Sequence, residues 1–214
     1  MANRASVILA GISLTLLSAC QDAATVSLEA VDYIPDTGWD GDEWAKFYED
    51  WYGGQLRAMR EPTLSSPASL GGYTERFRLL VLPTFEPGRS YRVDWLENGE
   101  AEVRWVQLDG AGGYEPGNID CQGRRALESG EARILRTELE TLDLFSLPTA
   151  DELQRKSSTA CFDGTALVFE HLSKSGRRFI TRHCHVEAAV DLFSRKVGEL
   201  GPRSSLEKFM CLMP

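Results

Sequence analysis

The longest regular alternation of apolar and polar positions runs from residue 74 to residue 108. Phe77, Leu79 and Val81 alternate there with mainly charged neighbours, the period of a β-strand with one face on a core. Beyond Pro83-Thr84-Phe85-Glu86-Pro87-Gly88, two more strands flank Glu97-Asn98-Gly99. A two-residue Asn-Gly turn would set Tyr91, Val93 and Trp95 on the opposite face from Val103 and Trp105. A three-residue loop with Gly99 left-handed sets all five on one face, so the expected register pairs Tyr91 with Trp105 and Val93 with Val103.

Helical spacing appears upstream and downstream of these strands. Trp44, Phe47, Tyr48, Trp51 and Tyr52 recur behind the capping-box pattern Asp40-Gly41-Asp42-Glu43, and predict an amphipathic, aromatic-rich helix over residues 40–61 that stops before Pro62. The helix is expected to pack its rings on the domain. Five aromatics so close together leave open a contact face for a partner or a membrane interface, with Trp44 and Trp51 as candidate contacts. Residues 62–72, rich in Pro, Ser and Gly, read as a linker. The loop Gly110 to Gly117 leads to a short strand near Arg124 to Leu127. Ser129 then caps a helix with Leu135, Leu139 and Leu142 on one stripe, closed by Leu144-Phe145-Ser146-Leu147-Pro148. A hairpin, residues 165–172 and 177–184, is expected around Lys174-Ser175-Gly176. A last helix, about 186–199, would turn Ala189, Leu192, Phe193 and Val197 inward. This order predicts an α+β domain over residues 73–214, an antiparallel sheet of five to six strands with helices packed on one face.

The first residues follow another pattern. One basic residue, Arg4, precedes the apolar run Val7 to Leu17, too short to span a bilayer and suited to a signal-peptide core. The run ends in Leu17-Ser18-Ala19-Cys20, which resembles the lipobox of bacterial lipoproteins. The resemblance implies cleavage after residue 19, a diacylglycerol on the Cys20 thiol and an acyl chain such as palmitate on its freed α-amino group. Residues 1–19 would then be a signal peptide and residues 20–39 an acidic tether. The mature chain would sit on the extracytoplasmic side of a membrane, held by three acyl chains. In a Gram-negative source, Gln21 in place of an aspartate points to the periplasmic face of the outer membrane.

Composition narrows the partners. Removing residues 1–19 leaves 195 residues with all 32 acidic side chains and one fewer than the 23 basic ones, a balance of −10. That balance argues against nucleic acid or an anionic lipid surface as an electrostatic partner. Ten acidic and three basic residues fall in 21–61, so the surplus sits near the N-terminus. Cys121, Cys161, Cys184 and Cys211 remain after Cys20, an even number that in an exported chain predicts two disulfides of open connectivity.

Reactive constellations are sparse, and no catalytic residue, metal site or cofactor is assigned. A three-residue loop at 174–176 would place His171 about 13 Å along the strand from His183, too far to share a metal. His183 and His185 flank Cys184, but neighbours on a strand face opposite ways, so neither easily serves as its base. Glu170 would lie opposite Ile180, diagonal to Arg178 and Arg182, in a solvent-facing ion network. The glycine loop fits neither the P-loop nor the dinucleotide template; Tyr114 and Glu115 at its tip are candidate partner contacts.

Several signposts occur together: Gly112-Gly113-Tyr114-Glu115-Pro116-Gly117, a helix ending Phe145-Ser146-Leu147-Pro148, the strand Asp163-Gly164 to Glu170, Gly176 and Arg182-His183. Over residues 74–198 they resemble a group of small exported bacterial proteins that have a similar GGYDPG loop and a DGxxWxxE strand, with Leu167 standing where the group tends to have Trp. The group is of unknown function, so the resemblance implies a fold and no activity. The expectation is a lipid-anchored, non-enzymatic binding module for an envelope protein or glycan. The alternative is a hydrolase using scattered carboxylates with His183 or His185.

Overall fold

A computed structural model describes residues 32–35, 42–150, 152–153, 163–183 and 186–202. Cys20, Cys161, Cys184, His185 and Cys211, with the expected signal peptide and most of the tether, lie outside the described residues. The architecture is α+β. Six strands, β1 Glu75–Pro83, β2 Arg89–Trp95, β3 Ala101–Leu108, β4 Ile119–Ala126, β5 Thr165–Ser173 and β6 Gly176–His183, form one antiparallel sheet. The order is β4-β3-β2-β1-β5-β6: a four-strand meander with the β5–β6 hairpin added along the free edge of β1. Among the described residues no helix is long and apolar enough to cross a membrane.

The β2–β3 hairpin has the expected register, with Tyr91 opposite Trp105 and Val93 opposite Val103. Gly99 takes φ 83°, and the Leu96 N–H donates to Glu100 O at 2.8 Å to close the three-residue loop. The β5–β6 hairpin differs from expectation. Ser173 pairs with Gly176 around the two-residue turn Lys174-Ser175, so His171 faces Arg178 and Glu170 faces Phe179. Gly176, at φ 125°, belongs to the ladder, and the Ser173 and Ser175 hydroxyls bond across the turn at 2.7 Å. A slip of one residue turns every β6 side chain to the other face.

One face of the sheet carries Phe77, Val93, Trp95, Val103 and Phe169. Against it pack α3, Ser129–Leu142, through Leu135 and Leu139, and α4, Ala188–Glu199, through Val190, Phe193 and Val197. Ala189 and Leu192 point outward, contrary to the predicted stripe, and Leu192 is 56% exposed. Glu128, not Ser129, is the N-cap of α3; its carboxylate and that of Glu131 form a reciprocal capping box. β4 is also longer than the predicted Arg124–Leu127. It shows little apolar alternation because its inward positions include Gly123, where a Cβ would lie 2.2 Å from the Trp105 ring.

The second face is covered too, by the N-terminal segment. α1, Asp42–Tyr48, runs through a π-helical turn, Glu49–Gly53, into α2, Gly54–Ala58. Tyr52, Leu56 and Met59 pack on Leu80, Leu82, Val106, Leu108 and Val168. Ile34, within the expected tether, joins this layer at 5% exposure. The expected linker is also anchored: Leu64 and Leu70 are buried against Leu172.

The remainder of that face is ionic. Glu61 enters among Arg78, Arg92 and Arg104, while Glu170 pairs with Arg78 and Arg177. Arg78 also donates to Pro62 O at 2.7 Å. Glu170 is only 1% exposed, which corrects the solvent-facing network with Arg178 and Arg182. Arg182 instead forms a two-pronged pair with Glu187 ahead of α4, through Nε at 2.7 Å and Nη2 at 3.1 Å. Asp94 lies beside Arg92 and Arg76; burial pushes its pKa up, against the pull of the two guanidinium groups.

Candidate functional site

Two segments singled out by separate sequence arguments meet in space. The loop 110–117 curls back on itself with Gly112, Gly113 and Gly117 at positive φ. A Cβ at Gly112 would stand 2.7 Å from the Glu86 backbone nitrogen, so only glycine lets this loop seat on the β1–β2 connection. The turn presents the Gly113 carbonyl to the helical segment, where it accepts from Trp51 Nε1 at 2.9 Å and Gln55 Nε2 at 3.3 Å.

These bonds assemble a continuous row of rings. The Trp51 and Tyr114 ring centres are 4.9 Å apart at 68°, and Phe47 meets Tyr114 at 5.7 Å and 71°. Trp44 extends the row through Phe47 at 5.8 Å, and His183 closes its inner end, edge-on to Trp51 at 6.3 Å. Edge-to-face geometry of this kind is the favoured arrangement of aromatic quadrupoles. Trp44 is 54% exposed and Tyr114 64%, so the outer rings meet solvent while Tyr52 beneath them is buried. Glu115 is exposed next to Tyr114, and Phe85 projects from the neighbouring loop.

Of the sequence candidates, Trp44, Trp51 and Tyr114 therefore join one surface, with Glu115 adjoining it. Phe47 is the bridge that the sequence reading did not single out, although its helical spacing from Trp44 and Trp51 was visible. His183 is half-buried against Trp51, and burial alone pushes its pKa down, favouring the neutral ring. Cys121, on β4, is half-buried against the core of the first face.

A second concavity lies on the opposite face of the sheet, between the end of α3 and the β5–β6 hairpin. His171 Nε2 approaches Glu75 Oε2 at 3.3 Å, and Arg136 Nη2 approaches Glu75 Oε1 at 3.4 Å. The hydrogen bond with His171, reinforced by Arg136, holds the Glu75 carboxyl below the usual carboxylate range despite partial burial. Phe145 stacks on the imidazole at 6.0 Å and 28°. The surrounding cavity is about 350 Å³. Glu75 and His171 come together only through the β1–β5 pairing, 96 residues apart in the chain, so no local signal foretold the pair.

No protein-family model and no curated protein matches the chain.

Proposed function

We propose that the chain is a lipid-anchored binding module, held at the extracytoplasmic side of a membrane through Cys20, that engages an envelope protein or glycan with its aromatic surface. The observation that carries this reading is the Trp51 indole hydrogen-bonded to Gly113, which joins the aromatic helix and the glycine loop into one partly exposed row of rings. Exposed aromatic clusters set in a polar surround are common interaction sites, because rings bury much area with little loss of rotamer freedom.

The acidic side chains Glu43, Asp50, Glu86 and Glu115 sit on the same helix and loops, which disfavours nucleic acid and anionic lipid headgroups as the partner. The membrane is contacted through the acyl chains, each buried methylene worth about 0.8 kcal/mol. The cysteines beyond Cys20 are read as disulfide-forming: Cys121 with a partner among Cys161, Cys184 and Cys211. The bonds would brace the sheet in an oxidising compartment.

Two experiments test the two halves of the reading. Cys20→Ser should move the protein from the membrane to the soluble fraction and remove acyl mass from the N-terminal peptide; a wild-type peptide without lipid would overturn the anchor. Affinity capture after crosslinking, wild type against Trp44→Ala/Trp51→Ala, tests the surface. The double variant should lose its partner while remaining at the membrane, and unchanged capture would overturn the assignment.

A further inference from the structure

The cavity beside His171 has two electrical poles. One is the C-terminal end of α3, where the helix leaves its last carbonyl groups and their partial negative charge. A helix end of this kind ordinarily carries basic residues, yet the last turn of α3 has none, and Glu140 and Asp143 stand there instead. Asp143 ends the helix in the left-handed conformation at φ 43°, and its carboxylate accepts the Ser146 hydroxyl at 2.9 Å. The last turn supplies no cation to this end, and Arg136, further back on the same helix, is held by Glu75.

The other pole is Arg178 on β6. It lines the same cavity and, with Asp143 and Phe145, the hollow that continues from it. Arg178 makes no ion pair or hydrogen bond among the described residues, although Glu140 and Asp143 line the same cavity. His171 and Arg136 are already engaged by Glu75, so Arg178 is the guanidinium left to receive an anion. Leu139 and Phe145 also line the cavity and give it an apolar part.

We infer that this cavity is a binding site for a small zwitterion with an apolar side chain, a free amino acid or short peptide. Its ammonium group would sit at Asp143 and Glu140 and its carboxylate at Arg178. A volume of about 350 Å³ suits a ligand of that size. The complementarity is specific: a simple anion would meet the carboxylates, and a simple cation would meet Arg178, whereas a zwitterion satisfies both poles at once. The site lies on the other face of the sheet from the aromatic surface, and its failure would leave that reading untouched.

Titration calorimetry on the full-length chain in detergent tests it, with L-leucine, D-leucine and L-leucyl-L-alanine as probes, each free, N-acetylated and C-amidated. At least one free zwitterion should bind saturably, and blocking either terminus should weaken it by about tenfold or more, the value of one charge-assisted hydrogen bond. Asp143→Asn combined with Glu140→Gln should abolish the discrimination against the acetylated form, and Arg178→Gln that against the amide. All three residues are exposed, so the variants should melt with the wild type. No saturable heat from any free probe, blocked probes that bind as well as free ones, or discrimination that survives these substitutions would overturn the proposal.

Discussion

Glu61→Gln is the most informative single change in the fold. The carboxylate is 2% exposed and ends the segment that carries the aromatic rings. Its Oε2 accepts from Arg92 and lies 3.6 Å from Arg78 Nη1, while its Oε1 takes Arg104 at 3.2 Å. Removing one partner of a buried ion pair typically costs about 3–5 kcal/mol, because the remaining charge stays desolvated. Arg78 keeps Glu170 and Arg92 keeps Asp94, so the lower end, about 3 kcal/mol, is expected here. In a domain of this size each kcal/mol moves the melting temperature by about 2–4 °C, giving a fall of about 6–12 °C. Thermal and urea melts followed by far-ultraviolet circular dichroism and tryptophan fluorescence would measure it. Glu86→Gln removes an exposed partner of Arg89 and serves as the control, with an expected change within about 0.5 kcal/mol. A Glu61→Gln protein within about 1 kcal/mol of wild type would refute the view that this carboxylate pins the N-terminal segment to the sheet.

Other changes probe separate parts of the structure. Gly123→Ala places a methyl group against the Trp105 ring and should cost about 1–3 kcal/mol in urea unfolding. Burial holds the His183 pKa below its ordinary 6.5, so its share of stability is complete above that pH and is lost as pH falls below it toward the folded value. The slope of stability between pH 7 and pH 5 should flatten in His183→Gln, and an unchanged slope would show that another group sets it. Trp51→Phe keeps a ring but removes the donor to Gly113; it should raise proteolytic nicking in the loop 110–117 with a stability loss of about 1 kcal/mol, and an equally resistant loop would show that the bond does not order it.

The legible parts of the chain were those governed by local rules. The β2–β3 register followed from the demand that Tyr91, Val93, Val103 and Trp105 share a face, and Gly99 met it. The β5–β6 register did not follow, because Gly176 can close a turn either inside the loop or from the ladder beside it, and Glu170, His171, Arg178 and Arg182 offered no apolar set to arbitrate. The charged positions of β1 were the larger source of error. Arg76 and Arg78 beside Phe77 and Leu79 read as a wet face, yet Glu61 and the segment 62–70 cover them, since charges brought from elsewhere satisfy the arginines. A segment with two prolines and several serines looked like a linker for the same reason; only Leu64 and Leu70 hinted that it packs. The aromatic surface was half visible, as two independent candidate pairs, Trp44 with Trp51 and Tyr114 with Glu115. Their meeting depends on where β3 ends relative to the helix on the second face, which no local pattern encodes.

Site-specific photocrosslinking in intact cells tests whether the aromatic row is the docking surface. A photoreactive phenylalanine analogue would replace Tyr114 on the aromatic surface, Trp44 at the far end of the row, or Leu192, which is exposed on α4 on the other side of the sheet. The same envelope protein or glycan adduct is expected from positions 114 and 44, and none from 192. Adducts from 192 with none from 114 and 44 would contradict that assignment.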